Sequence, residues 1–441
     1  MKQIMDGCTA ATHVAFALSD VATIYPITPV ASMGETAQKW GMQGRKNYMG
    51  MPMSVKEMES ELGAAGATHG AAAAGALATT FTNSQGLMLM ISNMYKIAGN
   101  RLPVVFHVGA RSLATHALSI FGDHQDVMAT RATGFAFLCS TSVQEVMDLA
   151  TVAHLAALEG STPVCHFFDG WRTSNEMSTI DVIPYNDLFS LIDRKKVQAF
   201  RARALNPEHP VLRGSAQNPD VYFQNAEAQN PFYDRFPAIV QEKMDALAAV
   251  TGRQYHLFDY HGAADATTVV IAMGSSCKVA ELTVDYLNSH GYKAGVVTVH
   301  LFRPFSPEAL IKAIPPTVRT VVTLDRTKEP GADGEPLYKD VATALLTYGP
   351  GHFPSSLPGI MGGRYGLSSK DFTPAMVKAI LDEAAKPAPR RFFTVGITDD
   401  VTKLSLDVDS SFMLPVEGVT SAIFYGFGSD GTVGATRQAA S

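Results

Sequence analysis

Short apolar runs alternate with longer amphipathic stretches through the first 170 residues. The runs at 22–25, 77–81, 104–108, 135–139 and 163–167 have the length of strands, and the segments between them repeat with a helical period. In residues 143–158, for example, Val146, Met147, Leu149, Ala150, Val152, Ala153 and Ala156 line one broad apolar face. Strands alternating with helices predict a parallel sheet covered on both sides. Ligands collect at the C-terminal ends of such strands, so the loops 25–29 and 109–126 are the places to look for chemistry.

Residues 203–235, rich in Pro, Asn and Gln, break this rhythm and read as an ordered extended arm anchored by Val221, Tyr222, Phe223, Phe232, Tyr233 and Phe236. A helix over 237–250 follows, with Pro237 suited to its first position. A second βα series has strands at 269–273, 295–301 and 320–324. The predicted boundary falls near Tyr255, and Pro387-Ala388-Pro389 closes the second unit. From about Gly418 a strand at 422–425 leads into Gly426-Phe427-Gly428-Ser429-Asp430-Gly431. This is a dinucleotide-type turn without the second strand and acidic residue that the full fingerprint needs. The fold class is therefore α/β: two parallel-sheet domains, at 1–255 and 256–417, and the start of an incomplete third at 418–441.

Lys plus Arg number 35 against 41 Asp plus Glu, a net charge of −6, which argues against nucleic acid or an anionic membrane as partner. Asp6, His13 and Asp20 interrupt any signal-peptide core and the first arginine is Arg45, so the expected compartment is the cytoplasm. Cys8, Cys139, Cys165 and Cys277 lie too far apart for a zinc or iron–sulfur motif. Residues 62–95 carry no charged side chain, but their Ala and Gly content and their polar Thr82, Asn83, Ser84, Gln85 and Asn93 favour a tightly packed buried helix and strand over a membrane span.

Ser54-Val55-Lys56-Glu57 fits a capping box at a helix start, which accounts for Glu57 and leaves Glu59 solvated. Glu61 then lies one turn after Glu57 and opens the charge-free stretch, where a carboxyl loses hydration. It is the best general acid/base candidate, with a third solvated glutamate as the alternative. Pro26 and Pro29 flank Thr28 and hold its hydroxyl in a defined direction at the ligand edge, although prolines also end strands without functional reason. Arg111 follows a strand at the same edge. It can grip a substrate carboxylate through two parallel hydrogen bonds, or form a salt bridge to Asp123 or Asp126.

Several longer motifs carry a resemblance. Tyr25-Pro26-Ile27-Thr28-Pro29, Glu59-Ser60-Glu61-Leu62-Gly63-Ala64-Ala65-Gly66-Ala67, Phe81-Thr82-Asn83-Ser84-Gln85-Gly86-Leu87 and Ser119-Ile120-Phe121-Gly122-Asp123-His124-Gln125-Asp126 resemble the amino-terminal region of pyruvate:ferredoxin (flavodoxin) oxidoreductases. Phe167-Phe168-Asp169-Gly170, Asn206-Pro207-Glu208-His209-Pro210, Gln217-Asn218-Pro219-Asp220, Leu324-Asp325-Arg326-Thr327-Lys328-Glu329-Pro330-Gly331 and Gly428-Ser429-Asp430-Gly431-Thr432-Val433-Gly434 continue it in order.

The resemblance implies a thiamine-diphosphate enzyme that decarboxylates pyruvate, makes acetyl-CoA from coenzyme A, and passes electrons through four-iron, four-sulfur clusters to ferredoxin or flavodoxin. Its first domain would be the pyrimidine-binding one and its second transketolase-C-like. Glu61 matches the family glutamate that hydrogen-bonds the aminopyrimidine and promotes ylide formation, and Arg111 and Thr28 match the residues that contact the substrate. The resemblance also implies a homodimer of the full enzyme. The diphosphate half with its Mg²⁺ motif and the cluster ligands have no match. The chain is therefore expected to be incomplete alone, as a fragment of a longer polypeptide or a subunit needing partners. The alternatives are a subunit of a related 2-oxoacid:ferredoxin oxidoreductase and a non-catalytic scaffold of the same fold.

Overall fold

Every residue of the strands Ala78–Thr82, Val105–Ala110, Ala136–Ser140 and Val164–Asp169 is buried, which explains why they read as short runs rich in apolar residues; their polar members, such as Thr79, Thr80, His107 and His166, are buried with them. They form the centre of a seven-stranded sheet in the order Leu301–Arg303, Ala136–Ser140, Val164–Asp169, Val105–Ala110, Ala78–Thr82, Val21–Ile24, Ser54–Glu57. All of its pairs are parallel except that of Leu301–Arg303, which joins from far along the chain. A second sheet of six strands runs Phe392–Thr394, Gly359–Arg364, Thr320–Asp325, Thr268–Ala272, Ala294–Val299, Phe258–Gly262, with only the last antiparallel. The computed structural model describes residues 1–415, 418, 420–427 and 429–440.

Helix Val143–Gly160 lies in the core against helices Gly7–Leu18 and Asn230–Thr251. Ser142 caps it by accepting from the Glu145 N–H at 3.3 Å, and it ends in the left-handed conformation at Ser161. At Gly160 a β-carbon would stand 2.6 Å from the Phe236 ring, so glycine is what admits that ring. No helix among the described residues is long and apolar enough to cross a membrane.

Three expectations need correction. Residues 203–235 are not extended throughout, since Pro219–Glu227 is a helix and another begins at Asn230; Val221, Tyr222 and Phe223 are exposed rather than anchoring. Pro237 sits inside helix Asn230–Thr251 instead of starting it, because Phe236, Val240, Met244 and Leu247 form a continuous buried stripe. Burying those four side chains outweighs a proline cost of about 3 kcal/mol. Residues 422–425 pair with no other strand among the described residues, and a lone strand leaves its backbone groups to water. Gly428 of the expected glycine turn lies outside the described residues.

Three histidines form a chain inside the first sheet. His107 and His166 face each other in register on adjacent strands, with their Nδ1 atoms 3.0 Å apart. His107 Nε2 meets His154 Nε2 of the overlying helix at 3.1 Å, and His166 Nε2 meets Ser140 Oγ at 2.8 Å. Because the Ser140 hydroxyl donates to the Glu145 carbonyl, it accepts from His166, and donation then runs from His154 through His107 to His166 in their neutral forms. Burial lowers all three pKa values, to about 3 for His154 and His166. The unfolded chain takes up these protons first, near pH 6.5. Stability is therefore fully present above about pH 6.5 and falls by up to roughly 1.4 kcal/mol per pH unit per histidine on acidification. Unfolding titrations from pH 7 to 5 are expected to show this slope, reduced by about one proton in His154→Gln; an unchanged slope in the variant contradicts the assignment.

Candidate active site

In the seven-stranded sheet, the connections from Val21–Ile24 and from Ala78–Thr82 leave toward opposite sides, which opens a crevice at their C-terminal ends. Glu61, Asn83 and Arg111 are brought to that edge from separate loops.

Glu61 is the first residue of helix Glu61–Ala73, with a side chain only 8% exposed. The expected capping box at Ser54 and Glu57 does not exist. Those residues form the edge strand beside Val21–Ile24, and the cap is Ser60, whose Oγ accepts from the Gly63 N–H at 3.2 Å. Strand pairing won over the local capping signature, while Glu59 is exposed as expected. Gly86 opens space beside the carboxyl: a β-carbon there would lie 2.9 Å from Glu61 Oε1 and 2.7 Å from Thr82 Oγ1.

Arg111 is buried, and its Nη1 donates to the Thr28 carbonyl at 2.7 Å and to Asn83 Oδ1 at 3.4 Å. No carboxylate among the described residues lies within ion-pair distance of its guanidinium, so the salt-bridge alternative fails. Asp126 instead accepts the backbone N–H groups of Ser84 at 2.7 Å, Arg111 at 3.0 Å and Val127 at 2.7 Å. Asp123 accepts from the Ser112 hydroxyl at 2.5 Å. Burial pushes the Asp126 carboxyl up to about 7, against the pull of those N–H donors. Burial likewise lowers the Arg111 pKa, with the Asp126 charge opposing. Thr28 is exposed in its loop, and the Arg111 bond goes to its carbonyl rather than its hydroxyl.

Three buried polar atoms of this crevice have no partner within the described residues: Thr82 Oγ1, Asn83 Nδ2 and Arg111 Nε. Such atoms cost about 1–3 kcal/mol each when unsatisfied, so a crevice that gathers three favours a polar occupant, water or ligand. Thr82, Asn83 and Gly86 were visible in the sequence as part of the charge-free stretch but were given no site role. The available signal was a polar pair ending a fully buried strand, with a glycine three residues on.

These features define a parallel α/β protein with a cofactor-type crevice at a topological switch point. A family profile described as "Pyruvate flavodoxin/ferredoxin oxidoreductase, thiamine diP-bdg" matches residues 13–245, and "Pyruvate:ferredoxin oxidoreductase core domain II" matches residues 266–366. The chain belongs to the pyruvate flavodoxin/ferredoxin oxidoreductase family. It is 59% identical over 437 residues to the pyruvate:ferredoxin oxidoreductase of Moorella thermoacetica and 54% identical over 441 residues to the pyruvate-flavodoxin oxidoreductase of a Nostoc species. These matches cover 99% and 98% of this chain but 37% of each relative's length. The 2-oxoglutarate:ferredoxin oxidoreductase from Magnetococcus marinus, solved with 2-oxoglutarate, coenzyme A and succinyl-CoA bound, shares the fold. Its TM-score is 0.62 at 18% identity, over 87% of this chain and 65% of that one.

Proposed function

We propose that this chain supplies the pyrimidine side of the thiamine-diphosphate site, and the substrate contacts, of an enzyme that oxidatively decarboxylates pyruvate to acetyl-CoA. In this reading residues 1–255 are the cofactor domain, 256–417 the transketolase-C-like domain and 418–441 the opening of a third. The remaining polypeptide supplies Mg²⁺ and diphosphate ligands, iron–sulfur clusters, the coenzyme A site and the docking face for ferredoxin or flavodoxin. The observation that carries the proposal is the crevice where Glu61 meets the unpartnered atoms of Thr82, Asn83 and Arg111.

The residues present fit the cofactor. Thiamine diphosphate supplies, when bound, the electron sink that decarboxylation of a 2-oxo acid needs. Glu61 is the group that holds a proton at an aminopyrimidine ring nitrogen, in a buried position where water does not compete for it. Gly86 leaves the space beside that carboxyl free, and Thr82 Oγ1 and Asn83 Nδ2 offer hydrogen bonds. Arg111, whose guanidinium has no carboxylate within ion-pair distance among the described residues and is held by the Thr28 carbonyl, is preorganised for the substrate carboxylate. Thr28 stands exposed beside it to contact the ketone region.

Removing the Arg111 charge tests this reading. Arg111→Met in the full-length enzyme is expected to raise KM for pyruvate roughly 10- to 150-fold, the equivalent of one charge-assisted hydrogen-bonding interaction, with a smaller change in kcat. An unchanged KM contradicts the assignment. Arg111 contacts a feature shared by all 2-oxo acids, so the same assay with 2-oxoglutarate ranks pyruvate against it.

A further inference from the structure

The parallel strands of the six-stranded sheet, taken in chain order from Thr268–Ala272, stand in space as 2-1-3-4-5. That order has its own switch point, between Thr268–Ala272 and Thr320–Asp325, where ligands of such sheets bind. One end of this crevice is filled from within the molecule. The Asp169 carboxylate, at the end of a strand of the other sheet, accepts from Ser275 N at 2.9 Å, Ser275 Oγ at 2.5 Å and Arg326 Nη1 at 2.6 Å. The crevice thus already seats one anion at its glycine-led helix start.

Beyond Asp169 the crevice continues as a cleft of about 330 Å³ between the two sheets, which none of Glu61, Thr28 or Arg111 lines. Helix Ser276–Ser289, 14 residues long, lines it with its first turn, and the Ser275 hydroxyl does not cap that helix because it is spent on Asp169, which also takes the Ser275 N–H. Across the cleft stands Thr141, 3% exposed, whose Oγ1 is buried without a partner. Four cations line the cleft, Arg172, Lys278, Arg326 and Lys370, against two carboxylates, Glu176 and Asp371. Asp371 is paired with Arg172 at 2.6 Å, Arg326 with Asp169, and Lys278 with Glu281 at 3.1 Å and Glu145 at 3.5 Å. The Lys370 ammonium has no partner among the described residues.

We propose that this interdomain cleft is a second ligand site, for a phosphomonoester dianion held by Lys370, the Thr141 hydroxyl and the N-terminus of helix Ser276–Ser289. A phosphate group offers several acceptor oxygens and close to two charges, which suits one ammonium, one orphaned hydroxyl and the first-turn N–H groups of a helix lining one cleft. The volume leaves room beyond the phosphate for a small organic part. An occupant bridges the two sheets next to Asp169, so binding stabilises their mutual arrangement.

The test titrates the 441-residue chain with inorganic phosphate and, separately, with glycerol phosphate, by calorimetry and by thermal unfolding at constant ionic strength with chloride as control. Saturable binding and a rise in the unfolding midpoint are expected, with affinity weakened at least about tenfold in Lys370→Met and in Thr141→Val and no fall in the ligand-free midpoint of either variant. Tighter binding of glycerol phosphate identifies an ester as the ligand, and equal binding identifies phosphate itself. No saturable binding of either probe, or wild-type affinity in both variants, overturns the proposal.

Discussion

Glu61→Gln is expected to lower turnover of the full-length enzyme by roughly 10²–10⁴-fold, the range that one positioned acid/base group supplies. Glutamine keeps the size and planarity of the side chain, so the gap left by Gly86 and the Ser60 cap are undisturbed. What is lost is the ability to take and return a proton. In the proposed reading pyruvate is held by Arg111 and Thr28, so its binding is expected to stay within a few fold. Loss of kcat with KM preserved separates a catalytic Glu61 from a structural one, whose replacement would lower stability as well. Near-normal turnover contradicts the assignment and favours a non-catalytic scaffold.

The second large effect lies between the sheets. Arg326→Met is expected to destabilise the protein by about 3–5 kcal/mol, because it leaves the fully buried Asp169 charge with only His124, at 2.6 Å, and Ser275 as partners. Although burial alone pushes the Asp169 carboxyl up, Arg326 and His124 hold it well below the usual carboxylate range. The contribution is therefore present above a pH of about 3.9 and is lost as the pH falls below that value. Asp169→Asn in the Arg326→Met background removes the stranded charge and is expected to recover part of the loss, a coupling that urea unfolding of the four proteins measures. Arg326→Met within 1 kcal/mol of wild type contradicts this account. The Asp169 seat also adjoins the candidate active site: Asp169 pairs in register with Ala110, and the Gly170 N–H donates to the Ala110 carbonyl at 3.0 Å, one residue before Arg111.

The parallel α/β class was legible because the central strands, buried on both faces, are rich in apolar residues and alternate with helical patterns. Glu61, Arg111 and Thr28 stood out as candidates because each stands next to a break in the apolar pattern, and the structure places all three at the C-terminal edge of the first sheet. Local signals misled where partners distant in sequence decide the structure. Ser54 and Glu57 carry the spacing of a capping box, yet the open edge of Val21–Ile24 recruits them as a strand. Pro237 looks like a helix start, yet the stripe from Phe236 to Leu247 runs through it. Pro219 was the opposite case: it occupies a first-turn position of Pro219–Glu227, a helix hidden by its Asn- and Gln-rich flanks. The Asp169 seat could not be read from the chain at all, since His124, Asp169, Ser275 and Arg326 come from four separate strand and helix ends.

The central claim is that Glu61 serves thiamine diphosphate from the pyrimidine side. The most direct measurement is the rate at which the reactive carbon of the bound cofactor exchanges its proton for deuterium, read by rapid quench and NMR in full-length wild type and Glu61→Gln. The account calls for exchange at least about 10²-fold slower in the variant, with cofactor still bound. Equal exchange rates in the two proteins contradict it.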